Sequence, residues 1–209
     1  MTSLKDGGGC TQKRLRLTSR SVTEDDAAKL FRETGALLEG HFVLRSGRHS
    51  RQFFQCARVL EQMPVVERLG ATLAERVRSL EATTVVAPAM GGLVIGQEVA
   101  RQLGSRFVFV EKEEGKLVLR RGFEFSTGEK ILIVEDVVTQ GGRVRETMDI
   151  VRSNGGDLRG VALVVDRSGG EVNLGVPIFS LLRMQVETFA EEELPEDLRA
   201  LPAVHPGSR

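Results

Sequence analysis

The sequence predicts an α/β fold in which an open, mostly parallel sheet is flanked by helices. Five short and nearly continuous apolar runs are typical of strands that are buried on both faces. Segments with helical periodicity separate several of them. Strands that alternate with helices favour a parallel sheet, whose ligands bind at the carboxyl ends of the strands. The runs occupy residues 84–88, 107–110, 131–134, 161–165 and 178–182, and the helical segments occupy residues 93–103 and 144–151.

The bulk composition indicates one domain of ordinary size. The 209 residues (22.9 kDa) are enough to bury a core without disulfides or metals. Lys plus Arg (29) balances Asp plus Glu (29), so we expect no nucleic-acid partner. No apolar run approaches the ~20 residues that span a bilayer, so we expect no membrane partner. Two cysteines, Cys10 and Cys56, match no metal-ligand spacing and favour the reducing cytoplasm.

A tail, a helix and a small β element precede this pattern. Residues 1–20 are basic, contain three consecutive glycines and show no hydrophobic period, so we expect a disordered tail. Thr23 and the three acids after it predict the start of a helix that ends at Gly35. Apolar runs at residues 41–44 and 52–57 flank a polar connection that contains glycine, which predicts a hairpin.

A long amphipathic helix and a long connection complete the pattern. Pro64 opens a segment in which apolar residues recur every three or four positions up to Leu80. Residues 111–130 are too long for an ordinary connection and predict either a hairpin or a mobile functional loop. The predicted organisation is a disordered basic tail at residues 1–20, an N-terminal helix and hairpin at 21–62, a core at 63–190 and a C-terminal cap or tail at 191–209.

The strongest functional signal is the apolar run at residues 131–134, which continues into Glu135, Asp136 and a turn rich in Thr and Gly. Backbone N–H groups of such a turn, together with the dipole of the helix after it, bind phosphate. Adjacent carboxylates accept hydrogen bonds from sugar hydroxyls and often lie near a divalent metal. The glycine spacings of dinucleotide and nucleoside triphosphate loops are absent from the sequence. The segment therefore predicts a sugar-phosphate site.

Residues 135–142, Glu-Asp-Val-Val-Thr-Gln-Gly-Gly, are similar to the donor-binding motif of the type I phosphoribosyltransferases. Residues 42–50 with Phe53 and Phe54 resemble the N-terminal hood of one family among them, the orotate phosphoribosyltransferases, and residues 164–168 resemble its base-binding strand end. The resemblance covers most of the chain between residues 23 and 190. It implies the type I phosphoribosyltransferase fold with a small N-terminal hood.

The same resemblance implies a reaction and its partners. Ribose 5-phosphate would pass from 5-phosphoribosyl 1-diphosphate, the donor, to N1 of orotate, giving orotidine 5-phosphate and diphosphate in pyrimidine (UMP) biosynthesis. Mg²⁺ would be held mainly by the donor and water. The active form would be a homodimer in which a loop at residues 111–121 reaches the neighbouring site.

Roles for individual donor-site residues follow from the resemblance. Glu135 and Asp136 would hold the ribose 2- and 3-hydroxyls, with Asp136 also catalytic, and residues 139–143 would wrap the 5-phosphate. The turn with Ala89, Met90 and Gly91 would take the diphosphate, although some relatives carry Lys where Gly91 stands. The whole donor set is Glu135, Asp136, Val137, Val138, Thr139, Gln140, Gly141, Gly142, Arg143, Lys112 and Lys116.

The acceptor side and the catalytic loop are inferred in the same way. Arg167 would face orotate, because an Arg fork pairs with planar carbonyl and carboxylate acceptors. Loop cations would stabilise the departing diphosphate. Lys112 aligns with the first loop Lys, whereas Lys116 is displaced by one place and the loop His is missing. Arg143 stands where Ser or Thr is common. The orotate set is Thr139, Arg167, Phe53, Phe54 and Arg45, and the catalytic set is Lys112, Lys116 and Asp136.

Two alternatives stay open at this stage. Another purine or pyrimidine phosphoribosyltransferase would share the tandem acids, and a non-enzymatic regulator on the same fold would bind the donor as a signal. For Arg120 and Arg121 a solvated charge run is the preferred interpretation. The three histidines are scattered along the chain and form no ligand set.

Overall fold

The computed structural model describes residues 21–44 and 46–206, which form a six-stranded sheet, a separate hairpin and the helices around them. The strands are β1 (Leu37–Val43), β2 (His49–Phe54), β3 (Thr84–Pro88), β4 (Arg106–Glu113), β5 (Lys116–Leu119), β6 (Lys130–Val138), β7 (Asp157–Asp166) and β8 (Ile178–Arg183). The helices are α1 (Glu24–Glu33), α2 (Cys56–Leu60), α3 (Met63–Val77), α4 (Gly92–Leu103), α5 (Gly142–Ser153) and α6 (Glu196–Arg199).

The large sheet has the order β5-β4-β3-β6-β7-β8. Its neighbouring strands are parallel except for β4 and β5, which form an antiparallel pair at one edge. The predicted α/β fold with a mostly parallel sheet is confirmed. Of the two structures left open for residues 111–130, the hairpin is the one observed, with β5 returning along β4 after a tight turn.

Local signals account for most element boundaries. The Thr23 hydroxyl accepts a hydrogen bond from the Asp26 N–H at 3.1 Å, and the Asp26 carboxylate bonds back to the Thr23 N–H, so the predicted helix start is a complete capping box. Gly104 ends α4 in the left-handed conformation. One prediction is wrong in detail, because Cys56 and Ala57 were included in the second hairpin strand and instead begin α2.

Buried strand residues alternate between two hydrophobic cores. In β6, Leu132 and Val134 pack in the core that includes α1, α2, α3 and α4, whereas Ile131 and Ile133 pack in the core that includes α5. All four side chains are fully buried. The strand is therefore fixed by packing on both faces until it reaches Glu135, the first acidic residue after this apolar run, at the carboxyl end of the sheet.

The β1–β2 hairpin and the C-terminal segment pack against each other. The Val43 N–H of β1 donates to the Val204 carbonyl at 2.9 Å, and His49 exchanges two backbone hydrogen bonds with Phe189. Two histidines that are scattered in sequence also meet here, since His41 Nε2 lies 2.6 Å from His49 Nδ1. The segment after β8 thus braces the hairpin, while the proposed segment boundaries remain predictions. The predicted tail at residues 1–20 lies outside the described residues.

Candidate active site

The carboxyl ends of β3, β6 and β7 meet at one edge of the sheet, and each strand continues into a polar turn. These strands are adjacent and parallel, so the three turns lie side by side. Residues 89–91 follow β3, residues 139–141 follow β6, and Arg167 follows β7. The segments that the sequence assigned to diphosphate, phosphate and base recognition therefore share one edge of the sheet.

The tandem carboxylates occupy different environments. Glu135 is buried, with 2% of its surface exposed, and its Oε1 accepts the Asp136 N–H at 3.1 Å. Asp136 is half-buried, and its Oδ1 accepts the Val137 N–H at 2.8 Å. Burial, followed by the neighbouring charge of Asp136, raises the pKa of Glu135 well above its ordinary value, and the charge of Arg143 acts in the opposite direction. The site thus holds an acid that resists ionisation next to a more accessible one.

The turn after β3 approaches this pair so closely that a side chain at position 91 or 92 would force neighbouring atoms to shift. A Cβ atom at Gly91 would lie 2.7 Å from both carboxylate oxygens of Asp136. A Cβ at Gly92 would lie 2.8 Å from the Val134 carbonyl oxygen and 3.2 Å from Glu135 Oε1. Ala89 donates its N–H to the Val110 carbonyl at 2.7 Å, and the Ala89–Met90 peptide bond is cis. The Lys that some relatives carry at position 91 would have to displace the Asp136 carboxylate here.

The turn after β6 has the geometry of an anion site. Gly141 adopts the left-handed conformation (φ 78°) immediately before α5, and Thr139 and Gln140 are exposed at its tip. The first four N–H groups of a helix have no partner within the helix, and they carry the positive end of its dipole. This turn therefore presents backbone donors beside the tandem acids, and its role in phosphate binding stays a prediction.

Arg167 is held between the turn after β6 and the β1–β2 hairpin. Residues 139–141 of that turn, which the sequence assigned to the donor, are called the donor turn below. Its N–H donates to the Val138 carbonyl at 2.8 Å, and its guanidinium carbon lies 5.5 Å from the centroid of the Phe54 ring. Its Nε is buried and has no hydrogen-bond partner among the described residues. Burial lowers the pKa of this guanidinium. A buried donor without a partner costs free energy, so this side chain is suited to an acceptor that arrives with a ligand.

Two phenylalanines that were both candidates for the base pocket have different surroundings. Phe54 is buried, lies against Arg167 and packs edge-on against Phe31 with centroids 5.6 Å apart. Phe53 packs against Phe42 instead, with centroids 5.9 Å apart. Successive strand residues point to opposite faces, which accounts for the difference. Of these two phenylalanines, only Phe54 contacts Arg167.

Cys56 and the turn after Arg167 are site features that the sequence reasoning missed. The pKa of the Cys56 thiol is raised, first by burial and then by the charge of Asp136, whereas the charge of Arg167 lowers it. The Ser168 hydroxyl donates to Asp166 Oδ1 at 2.6 Å, and the Ser168 N–H donates to the same oxygen at 2.9 Å. A Ser two residues after an Asp at a strand end could have indicated this local turn.

The β4–β5 hairpin carries the two candidate loop lysines on its exposed part. Lys112 pairs in register with Leu117, and Lys116 pairs with Glu113 across the turn. The Leu117 N–H donates to Glu146 Oε1 on α5 at 2.5 Å, which docks the hairpin against the core. The structure brings neither lysine into a described contact with the tandem acids.

Arg120 and Arg121 are engaged within the hairpin itself. Arg120 pairs with Glu113 at 2.8 Å and Arg121 pairs with Glu111 at 2.9 Å. These ion pairs engage both guanidinium groups, and the interpretation of this segment as a solvated charge run stays a prediction. Arg45, a candidate for base contact, lies outside the described residues.

Comparisons with known proteins identify the class that this fold and site define. Residues 57–193 match the family model described as the phosphoribosyl transferase domain. The chain is therefore a phosphoribosyltransferase-domain protein. Orotate phosphoribosyltransferases of Desulforamulus reducens and Pelotomaculum thermopropionicum are 47% and 48% identical over 188 residues, which cover 90% of this chain and 98% and 99% of theirs. The chain belongs to the orotate phosphoribosyltransferase family.

Solved structures agree with this assignment. The orotate phosphoribosyltransferase of Aeropyrum pernix matches with a TM-score of 0.64 and 26% identity, covering 75% of this chain and 92% of that one. The adenine phosphoribosyltransferase of Thermoanaerobacter pseudethanolicus matches with a TM-score of 0.57 and 20% identity, covering 64% of this chain and 88% of that one, and shares the fold alone. In the part of the chain that the structure describes, no helix is long and apolar enough to cross a membrane.

Proposed function

We propose that the protein transfers ribose 5-phosphate from 5-phosphoribosyl 1-diphosphate to N1 of orotate, releasing diphosphate. The observation that carries the choice of acceptor is the buried and unpartnered Nε of Arg167 beside Phe54. Among the described residues, no carboxylate forms an ion pair with this side chain. Its positive charge is thus available to an anionic ligand, and orotate offers a carboxylate and ring carbonyls to the fork.

Donor recognition is assigned to the turns after β3 and β6. Residues 139–143 donate backbone N–H groups to the 5-phosphate, and Glu135 and Asp136 accept hydrogen bonds from the ribose hydroxyls. Each carboxyl group of this pair accepts one internal hydrogen bond, and a carboxyl group has further acceptor capacity whether it is ionised or protonated, so capacity for the sugar remains. The N-terminus of α4, reached through Ala89, Met90 and Gly91, takes the diphosphate.

The reaction follows from this placement. The bond between C1 of the ribose and the diphosphate oxygen breaks, and its electron pair leaves with the diphosphate. N1 of orotate then forms the new bond to C1 and loses its proton, which passes to the departing diphosphate. Positive charge develops on the ribose ring, and the more accessible carboxylate of Asp136 stabilises it, whereas Glu135, whose pKa is raised, acts through hydrogen bonds to the hydroxyls. The protein therefore contributes mainly orientation and electrostatic stabilisation, with no strong base required.

Mg²⁺ fits the site as an ion shared with the donor. Among the described residues, no group of three or more His, Cys, Asp or Glu is placed to hold a metal. Magnesium is commonly bound by one or two carboxylates together with substrate phosphates, and the half-buried Asp136 supplies such an oxygen. When bound, the ion would neutralise charge on the departing diphosphate.

The exposed lysines of the hairpin are assigned to the neighbouring subunit of a homodimer. Neither Lys112 nor Lys116 has a described contact with Glu135 or Asp136 of its own chain. We therefore assign their charge to the diphosphate in the site of a second copy. The reducing cytoplasm that the cysteine content favours is the proposed location, and neither nucleic acid nor membrane is a proposed partner.

A spectrophotometric assay of orotate consumption with the donor and Mg²⁺ tests the proposal. In parallel reactions, uracil, hypoxanthine or adenine replaces orotate as the acceptor. Orotate turnover that exceeds the others by at least about a hundredfold is expected, because a neutral base would leave the buried Nε of Arg167 without a partner. Turnover of another base in preference to orotate would assign the site to a different phosphoribosyltransferase. Donor binding without any turnover would indicate a regulator.

A further inference from the structure

The Arg145 side chain joins the donor turn to the segment that follows Arg167. Arg145 lies in the first part of α5, and its guanidinium reaches back across the turn. Its Nη1 donates to the Gln140 carbonyl at 3.3 Å, and its Nη2 donates to the Asn173 carbonyl at 2.8 Å. The two carbonyls belong to the donor turn and to the segment between β7 and β8, so one planar group spans both.

The same place is tightly packed. A Cβ atom at Gly141 would lie 2.8 Å from Arg145 Nη1, 3.2 Å from Val172 Cγ1 and 3.3 Å from Leu174 Cδ2. Leu174 is buried in the core that includes α5. The donor turn therefore rests directly on residues 172–174, and a shift of either segment requires the other to move or the contact to be lost.

Residues 172–174 are in turn fixed to the end of β7. The Ser168 hydroxyl accepts the N–H groups of Gly170 and Val172, each at 3.2 Å, while it donates to Asp166. Arg167 lies between these anchors and donates its own N–H to Val138. A continuous set of hydrogen bonds and close contacts thus runs from the donor turn, through Arg145, to the residue assigned to the acceptor.

We propose that Arg145 is a positioning residue that couples occupation of the donor turn to the placement of Arg167. The inference rests on the proposed function, since it assigns phosphate to one segment and the base to the other. The guanidinium is suited to the role because its rigid fork can donate to two carbonyls at once, whereas a Lys ammonium is a point charge on a flexible stem. Phosphate bound at the turn then favours the arrangement in which Arg167 meets the base.

Two ready-made ligands separate this coupling from simple support of the turn. Ribose 5-phosphate occupies the donor turn alone, and orotidine 5-phosphate occupies the donor turn and the acceptor side together. Dissociation constants of both are measured by titration calorimetry for the unaltered full-length protein and for Arg145→Met, which keeps an apolar stem and removes both hydrogen bonds. Arg152→Met is the matched control, because Arg152 is exposed two turns further along the same helix.

We expect Arg145→Met to raise the dissociation constant of orotidine 5-phosphate by about tenfold more than it raises that of ribose 5-phosphate. This difference is equivalent to ~1.4 kcal/mol of coupling. Arg145→Lys keeps the charge without the fork and is expected to show most of the same selective loss. Arg152→Met is expected to change neither constant by more than about twofold. Thermal unfolding of each variant verifies that the domain is folded.

Equal losses for the two ligands would overturn the coupling, because Arg145 would then only support the donor turn. If Arg145→Lys bound both ligands as tightly as the unaltered protein, the proposed coupling would also be overturned, because a positive charge without the fork would then be enough. The proposed function is tested separately, because both ligands are supplied ready-made and no turnover is needed. A protein that shows this selective loss but forms no orotidine 5-phosphate would retain the coupling and lose the proposed reaction.

Discussion

The Asp136 carboxylate occupies the position where a side chain at Gly91 would begin, since a Cβ there would lie 2.7 Å from both of its oxygens. This relationship joins the turn after β3 to the end of β6, between residues that are 45 positions apart in sequence. If the turn after β3 takes the diphosphate as proposed, it does so through its backbone, because no side chain can project from position 91 without displacing the Asp136 carboxylate.

Gly91→Ala is therefore expected to act through Asp136. Overpacking of this kind costs ~1–3 kcal/mol of the free energy of unfolding. Displacement of the carboxylate should also lower kcat/KM by at least about tenfold, because reacting groups tolerate little misplacement. Urea unfolding of Gly91→Ala, Asp136→Ala and the double variant forms a mutant cycle. In the Asp136→Ala background, Gly91→Ala should lower the free energy of unfolding by almost nothing. A full additive cost there would mean that the strain lies elsewhere.

The raised pKa of Glu135 gives the stability a pH dependence. A carboxyl whose pKa is higher in the folded chain binds its proton more tightly there, so the free energy of unfolding falls as pH rises from the ordinary pKa of 4.5 through the raised one. Glu135→Gln removes this titration and keeps a side-chain oxygen that can accept the Asp136 N–H. We expect the variant to gain stability relative to the unaltered protein as pH rises above 4.5, while losing turnover.

Denaturant unfolding at a series of pH values measures this effect. The difference between the two proteins should grow with pH by ~1.4 kcal/mol for each unit by which the folded pKa exceeds the unfolded one. Glu192→Gln, on an exposed turn, is the matched control and should give the profile of the unaltered protein. Parallel profiles for Glu135→Gln and the unaltered protein would show that Glu135 titrates normally.

The sequence predicts the architecture well because local and periodic signals determine it. The five core strands, the capping box at Thr23 and the turn before α5 each depend on residues that are close in the chain. Contacts between distant segments were not predictable. The approach of Gly91 to Asp136, the His41–His49 contact and the position of Cys56 depend on how elements dock, and no spacing encodes that.

Replacement of Arg167 tests the acceptor assignment. Arg167→Lys keeps the charge but removes the fork, so the KM for orotate should rise about ten- to a hundredfold while the KM for the donor changes by less than about threefold. Arg159→Lys is a matched control at the other end of β7, where Arg159 pairs with Asp157 at 3.0 Å on the surface. Steady-state kinetics with each substrate varied separately measures both constants. An equal rise for both substrates would mean that Arg167 supports the donor turn and does not read the base.

Removal of a loop cation tests how the hairpin contributes to the reaction. Lys112→Ala should lower kcat by about a hundredfold, comparable to the loss of one donor that stabilises a leaving group, with unfolding unchanged because the side chain is exposed. Arg120→Ala is the matched control, since Arg120 already pairs with Glu113 within the hairpin. If Lys112 acts on the partner's site, mixing Lys112→Ala with Arg167→Ala should produce hybrid dimers that each hold one intact site. Such a mixture would regain about a quarter of the unaltered activity, whereas no recovery after subunit exchange would show that the lysine acts within its own chain.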